Sequence, residues 1–431
     1  MHARAKYVAS LAAALVLACG ATHDATPTLP AVEGGAAGAG AAGAGAAGAG
    51  ATNSAAGLPS IVDAGGQGGA PSAMGGAAGA VAAGATAMAG AAGASDDPCS
   101  GAALEGLEVY SQGIWDPLGY PPYALDGCTL AYVAVSSGAE NGGLRLRDLA
   151  TGEELELEAG AARPRRPAVA GGVVAWESDG PDGSQVRVRD ASLTEPFEMA
   201  FQHAGEPRVT TDAVVFTAFL GVGASADTDV ELYDLTRRVL TPIATGPGQQ
   251  RFADVSAKYV AVTDFAEDPK GYFDETGSIS DIVLFARDTL ERTARAAPGK
   301  QAFPLLGNDG LIAYLEWGAV HPEPKFSQFF LKAGYVDGPV TSDRNVKGGE
   351  LMVVTDPAYV RPSLHGQYLD FIDKGTAAPQ LFRADLAAAA PPVAATIAGA
   401  SRLLGPVAAD TMTLVAQPLQ GATLQLVAVA R

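Results

Sequence analysis

The sequence predicts an all-β fold, a seven-bladed β-propeller closed by an N-terminal strand, carried behind a disordered Ala/Gly-rich tether. Three observations predict it. A four-stranded pattern recurs seven times, at spacings of 44, 40, 46, 52, 57 and 43 residues, and units of roughly 40–50 residues are the mark of propeller blades. No sustained 3.6-residue apolar period follows Asp96, so long amphipathic helices are not expected. The last unit also stops one strand short, while a strand-like segment without a partner, residues 104–110, precedes the first.

The clearest unit is residues 166–199, RPAVAGGVVAWESDGPDGSQVRVRDASLTEPFEM. A short strand over 167–170 turns at Gly171-Gly172. An apolar strand over 173–177 follows, then a Gly/Asp/Pro loop and an alternating strand over 185–189. Asp190 opens a turn to a last strand over 197–201. The other units align on the residue before the second strand: Cys128, Gly172, Asp212, Lys258, Gly310, Gln367 and Asp410. The fourth place after the anchor is large in six units (Tyr132, Trp176, Phe216, Tyr314, Phe371, Leu414), with Val262 the small exception. Those side chains should fill the core between blades rather than form an aromatic ligand site, because buried strand positions favour them anyway. Five third strands end in Asp (Asp148, Asp190, Asp234, Asp288, Asp385). Asp there can bond the backbone two residues on and open the turn to the outer strand. For the seventh unit, residues 104–112 should supply the missing outer strand beside 424–430, locking the ring and removing an open edge.

The N-terminal hundred residues are an address and a spacer. A short basic head, His2-Ala3-Arg4-Ala5-Lys6, precedes an apolar run over residues 8–18. That run is too short to span a bilayer and suits a signal-peptide core. It ends in Val16-Leu17-Ala18-Cys19-Gly20, which resembles the lipobox of bacterial lipoproteins. The resemblance implies cleavage before Cys19 and lipidation of that cysteine. Residues 34–93 are low-complexity Ala and Gly, unable to bury enough surface to offset ordering. Such a coil reaches roughly 40–45 Å. The expected organisation is a lipoprotein signal peptide at 1–18, the tether at 19–95 and the propeller at 96–431. The expected location is the cell envelope, lipid-anchored on a periplasmic or cell-surface face of the outer membrane.

Cysteine usage is consistent with export. With Cys19 acylated, Cys99 and Cys128 remain, and an oxidising compartment favours pairing them. The alternative is two unpaired thiols.

Composition removes one class of partner. The chain carries a net charge of −19 and no Lys/Arg cluster beyond Arg163-Pro164-Arg165-Arg166, so nucleic acid is not expected. The loops between second and third strands carry the insertions, over 220–229, 265–281 and 317–326. They should crowd one mouth of the central channel, and loops on a rigid scaffold are where binding tends to reside. The candidate binding face is therefore Asp264, Glu267, Asp268, Tyr272, Phe273, Asp274, Glu275, Trp317, His321 and Phe326. The acidic stretches offer oxygens to Ca2+, but neither Asp227-Thr228-Asp229 nor 264–281 follows the D-x-D-x-D-G spacing of an EF-hand loop. A solvated acidic loop is the leading reading, and no cofactor and no metal ligands are expected. His203, His321 and His365 stand alone, without metal-ligand spacing, and no G-x-S-x-G nucleophile elbow is present. No catalytic residue is assigned.

Residues 104–431 resemble the TolB-like/WD40-like (YVTN-type) propellers. The likeness is carried by seven short units with an apolar second strand and a third strand ending in Asp-Leu, as at Asp148-Leu149, Asp234-Leu235 and Asp385-Leu386. The S-P-D-G turn of TolB-type repeats is replaced here by AVAGG, RVTTD and DVSAK. With the anchor and tether, the resemblance implies a binding or scaffold module that takes a protein or glycan through one loop-rich face. The alternative is an extracytoplasmic propeller lyase or hydrolase acting on a carbohydrate-like polymer.

Overall fold

Runs of Val, Ile, Leu and aromatic residues, broken by Gly, Asp and Pro turns, leave this chain little to form but strands. In the computed structural model the described residues are Cys99, Leu104, 107–110 and 120–430, less short stretches at 136–141, 191–196, 222, 224–225, 269, 272–278, 298, 319–328, 348–360, 374–378, 389, 396, 398–402, 411 and 420–422. The signal-peptide segment, Cys19 and the tether lie outside the described residues. Among the described residues there is no α-helix, only short 3-10 turns such as Gly160–Ala162 and Val340–Ser342, and no helix long and apolar enough to cross a membrane.

The sheets are seven antiparallel blades. The first comprises Tyr123–Asp126, Thr129–Ala134, Gly143–Asp148 and Glu154–Glu158. The second comprises Arg165–Ala170, Val173–Gly180, Gly183–Asp190 and Phe197–Gln202. Blades three to six follow in the same order, with inner strands Ala204–Val209, Gln250–Val255, Gly299–Leu306 and Ser363–His365. The seventh has Leu404–Ala408, Met412–Pro418 and Thr423–Ala430 from the C-terminal end of the sequence. Its fourth strand is Glu108–Tyr110, paired Glu108 to Gln425, Val109 to Leu424 and Tyr110 to Thr423. Val109 also meets Ala134 of the first blade, so the closing strand touches both ends of the ring. The Cys99 and Cys128 sulfurs are bonded, with Cα atoms 5.1 Å apart. That bond holds the segment before the closing strand against the first turn of blade one.

The large residues of the second strands each face the preceding blade. Trp176 packs with Ala131, Val133 and Leu144 of blade one, and Tyr314 with Ala261, Ile282 and Leu284 of blade four. The last unit corrects the alignment by one residue. Its turn includes Ala409 and Asp410, and Val407 pairs with Leu414 as Arg208 pairs with Val215 in blade three. Val415, not Leu414, therefore occupies the Trp176 place, and it packs on Ile372 and Leu381 of blade six.

One irregularity repeats around the ring. Five inner strands carry a bulge, between Arg165 and Ala168, Gly205 and Arg208, Arg251 and Asp254, Ala302 and Leu305, and Leu404 and Val407. At each bulge one residue has a positive φ: Arg166, Glu206, Phe252, Phe303 and Gly405. A proline follows four of the five, and proline has no N–H to offer the ladder, so a bulge suits it. The bulge also frees the N–H of its positive-φ residue, and carboxylate and hydroxyl groups on the preceding blade accept it. Glu177 accepts from Glu206 N at 3.1 Å, Glu206 from Phe252 N at 3.2 Å and Thr263 from Phe303 N at 3.2 Å. The defect in one sheet thus becomes a bond to the next.

Candidate functional site: the closed mouth of the channel

The bulges determine what lines the channel. Antiparallel pairing puts the start of every inner strand on the same face as the loops between second and third strands. Two parallel bridges show this directly, Thr228 to Gln249 and Ser280 to Lys300. The bulge residues sit close to those strand starts, so they form a ring near the loop-rich mouth.

Tyr120 closes that ring. It lies just before the first inner strand, in Tyr120-Pro121-Pro122-Tyr123. The guanidinium of Arg361 stacks 3.7 Å from its ring centroid, with Arg208 at 4.8 Å and Arg166 at 5.1 Å. Arg361 also lies 4.4 Å from the Phe303 ring and 5.3 Å from that of Phe252. These residues come from blades two to six. A side chain near all of them lies on the channel axis. Tyr120 is 2% exposed, Phe252 0%, Phe303 2% and Arg361 5%, so the channel is filled at this level. Room for the plug segment comes from Gly405, whose φ is +47 and whose added Cβ would stand 2.9 Å from Pro121 Cβ. Tyr123 then anchors the segment by donating its hydroxyl to the Gly405 carbonyl at 2.5 Å.

The wall is charged as well as aromatic. Glu206 is fully buried and takes Arg251, with Arg166 4.0 Å away and the Thr217 hydroxyl donating at 3.0 Å. Burial alone would raise its pKa, but the Arg251 and Arg166 charges outweigh it and hold the carboxyl at about 2. Asp254 goes the other way, raised because burial outweighs the Arg208 charge 3.9 Å off. Burial likewise pushes the Tyr120 hydroxyl up, against the Arg361 charge. A carboxyl with a lowered folded-state pKa contributes stability that is complete above its unfolded value and lost as pH falls. For Glu206 the window is from 4.5 down to about 2, worth on the order of 3 kcal/mol. Glu206→Gln should therefore be less stable at pH 7, yet lose less than the wild type between pH 5 and pH 3, read by urea unfolding at each pH. Parallel pH curves would contradict this role.

The candidate face is only partly on view. Tyr272, Phe273, Asp274, Glu275, His321 and Phe326 lie outside the described residues, and Trp317 is described in its backbone only. Asp264, Glu267 and Asp268 sit together at the base of the blade-four loop. Asp268 is buried and accepts the N–H of Lys270 at 2.7 Å and Ile279 at 2.5 Å, so it holds the loop's shape. Asp264 accepts from Gln250 and Arg292, and Glu267 is exposed. Burial, then the Glu267 charge, raises the pKa of neighbouring Asp281. Among the described residues no three His, Cys, Asp or Glu side chains gather as a metal site would need. The opposite face, made by the tight turns, carries a groove of about 620 Å3 between blades three and four, lined by Asp212, Asp234, Lys258, Tyr259 and Arg287 among others. Sequence reasoning named neither that groove nor Tyr120 and its arginines.

Fold and closure together define a seven-bladed β-propeller closed by an N-terminal strand. No protein-family model matches the chain, and no curated protein matches it. Solved structures do. The β-propeller domain of the trilobed protease from Pyrococcus furiosus, described as having an open velcro topology, aligns at TM-score 0.51 and 12% identity over 72% of this chain and 94% of that one. A prolyl endopeptidase aligns at TM-score 0.51 and 15% identity, over 78% of this chain and 49% of that one, so this chain spans about half of that enzyme. TolB from Acinetobacter baumannii aligns at TM-score 0.39 and 14% identity over 66% of this chain and 62% of that one. At these identities the likeness is one of fold.

Proposed function

We propose that this protein is an exported binding module, held to a membrane of the cell envelope through acylated Cys19, that takes a protein or glycan partner on its loop-rich face. The observation that carries the reading is the Tyr120 plug. With the channel filled just beneath the mouth, that face offers a floor ringed by loops rather than a tunnel. The described bases of the blade-three and blade-four loops, residues 220–221 and 264–268, lie at the rim of that floor, on a scaffold whose blades are cross-bonded. Tyr120, Arg166, Arg208, Arg361 and Glu206 are a set that an acid–base enzyme could use, but Tyr120 and Arg361 at its centre are 2% and 5% exposed, so the binding reading stands ahead of the enzyme one.

The test is cross-linking in cells with the full chain, against a variant in which residues 272–278 are replaced by Gly and Ser. A partner recovered with the wild type and lost with the variant supports the reading. Equal recovery from both, or recovery lost only on Tyr259→Ala in the groove of the opposite face, overturns it. Cys19→Ser should move the protein from the membrane pellet to the soluble fraction; retention in the pellet would overturn the anchor.

A further inference from the structure

We infer that the face made by the tight turns, opposite the loop-rich mouth, is a docking face for the membrane surface, fitted to zwitterionic phospholipid headgroups, so that the loop-rich face looks away from the bilayer. The inference rests on the anchor at Cys19 and gives the anchored propeller an orientation.

The route of the chain is the first observation. Inner strands start on the loop-rich face, so the turn after each inner strand lies on the opposite one. Cys128 sits in that turn of blade one, after Tyr123–Asp126, and Cys99 is bonded to it. The closing strand then runs toward the loop-rich face: Tyr110 pairs with Thr423, where the third strand of blade seven begins, and Glu108 with Gln425 further along it. The chain therefore enters the propeller from the tight-turn face. About 80 residues separate Cys19 from Cys99, and a coil of that length reaches roughly 45–55 Å. An anchor at its far end keeps this face close to the bilayer, at an effective concentration where weak contacts suffice.

The second observation is what the face displays. Val239, Leu290, Tyr335 and Tyr368 come from blades three to six in turn, each in a tight turn or at the strand end beside one. They are 50%, 43%, 50% and 37% exposed. Leu290 has φ +59, in the place that Gly152 holds in blade one at φ +78. Residues other than glycine enter that left-handed state at a cost, so blade four carries strain and displays a leucine with it. Tyrosine suits a headgroup layer, apolar along its ring and polar at its tip. Among the described residues the exposed large apolar side chains of the loop-rich face, Leu220, Ile279 and Leu419, include no aromatic.

Charge in the groove between blades three and four is the third. Lys258 and Asp288 line it, both exposed, and among the described residues neither side chain makes an ion pair or a hydrogen bond. A headgroup that carries a phosphate and an ammonium answers both, the phosphate at Lys258 and the ammonium at Asp288. An anionic surface would repel a chain of net charge −19.

The test couples the full chain through the Cys19 thiol to a maleimide-bearing lipid in phosphatidylcholine vesicles. That linkage supplies the anchor whether or not the cell acylates Cys19, so this result is separate from the Cys19→Ser fractionation. Amides at 236–239, 288–291 and 335–338 should exchange about threefold or more slowly than in the uncoupled chain, as for surface shielded from solvent, while those at 264–268 keep their rates. Leu290→Asp with Tyr335→Asp, both at exposed positions, should abolish the slowing, and phosphatidylglycerol vesicles should reduce it. Unchanged exchange on vesicles would mean a tether only. Equal slowing on both faces, slowing that survives in the double variant, or slowing that follows chain concentration without vesicles, as for two copies pairing, would mean another contact; any of these results overturns the inference.

Discussion

Asp343→Ala should cost the fold about 3–5 kcal/mol, the usual penalty for stripping one partner from a buried ion pair. The Asp343 side chain is 0% exposed and that of Arg295 3%. Arg295 grips Asp343 with one nitrogen and donates from the other to the carbonyls of Tyr335, Val336 and Gly338, at 2.8, 3.2 and 3.0 Å. Tyr314 donates its hydroxyl to the same carboxylate at 2.7 Å. An added Cβ on Gly334 would lie 1.8 Å from Asp343 Oδ1, so the backbone comes right up to the pair. Arg295 belongs to the outer strand of blade four, and Asp343 precedes that of blade five. Removing the carboxylate leaves a guanidinium buried against three carbonyls and a tyrosine without its acceptor. Urea unfolding reads the loss. A double variant, Arg295→Met with Asp343→Leu, should recover most of it, since apolar residues of similar size often replace a buried pair without cost. A loss below ~1 kcal/mol, the value of an exposed pair, would show that the two blades do not depend on it.

That pair shows where sequence reading stops. The second strands were legible because burial on both faces demands apolar runs, and their spacing gave the blade count. Closure was legible from an odd strand at each end. The turn aspartates were legible because their chemistry is local: Asp148, Asp234 and Asp385 accept the N–H of Ala150, Arg237 and Ala387. Arg295 and Asp343 stand 48 residues apart in outer-strand sequence that reads as ordinary solvated charge. The Tyr120 cluster is harder still, since its members come from separate blades and from a segment without strand period. A signal did exist. Proline recurs at one phase of the inner strands, at Pro167, Pro207, Pro304, Pro362 and Pro406, and the residues before these prolines include Arg166, Glu206, Phe303 and Arg361. Alignment on the apolar second strands looks past it. The slip from Val415 to Leu414 has the same origin: Asp410 resembles Asp212, but the last turn places one more residue before its second strand.

Loss of the Cys99–Cys128 bond should destabilise the propeller by about 3–4 kcal/mol on the loop-entropy estimate, for a sequence separation of 29 residues. The ring is weakest where that bond sits. The closing strand is three residues long and makes three pairs with blade seven and one with blade one. So short a strand holds only while its entry is fixed, and the entry is Cys99 and Leu104, both buried with Tyr132, Leu414 and Leu424 across the junction. Cutting the bond frees the segment from its covalent hold, leaving four pairs and that small cluster to keep the ring shut. Cys99→Ala with Cys128→Ala, which leaves no stray thiol in the propeller, should therefore lower the melting temperature. It should also speed amide exchange at Val109, Tyr110 and Leu424 well before the central strands of blades three to five respond. Uniform acceleration across all blades would instead mean that the bond stabilises the ring as a whole. Unchanged exchange at the closing strand would mean that strand pairing alone keeps it shut.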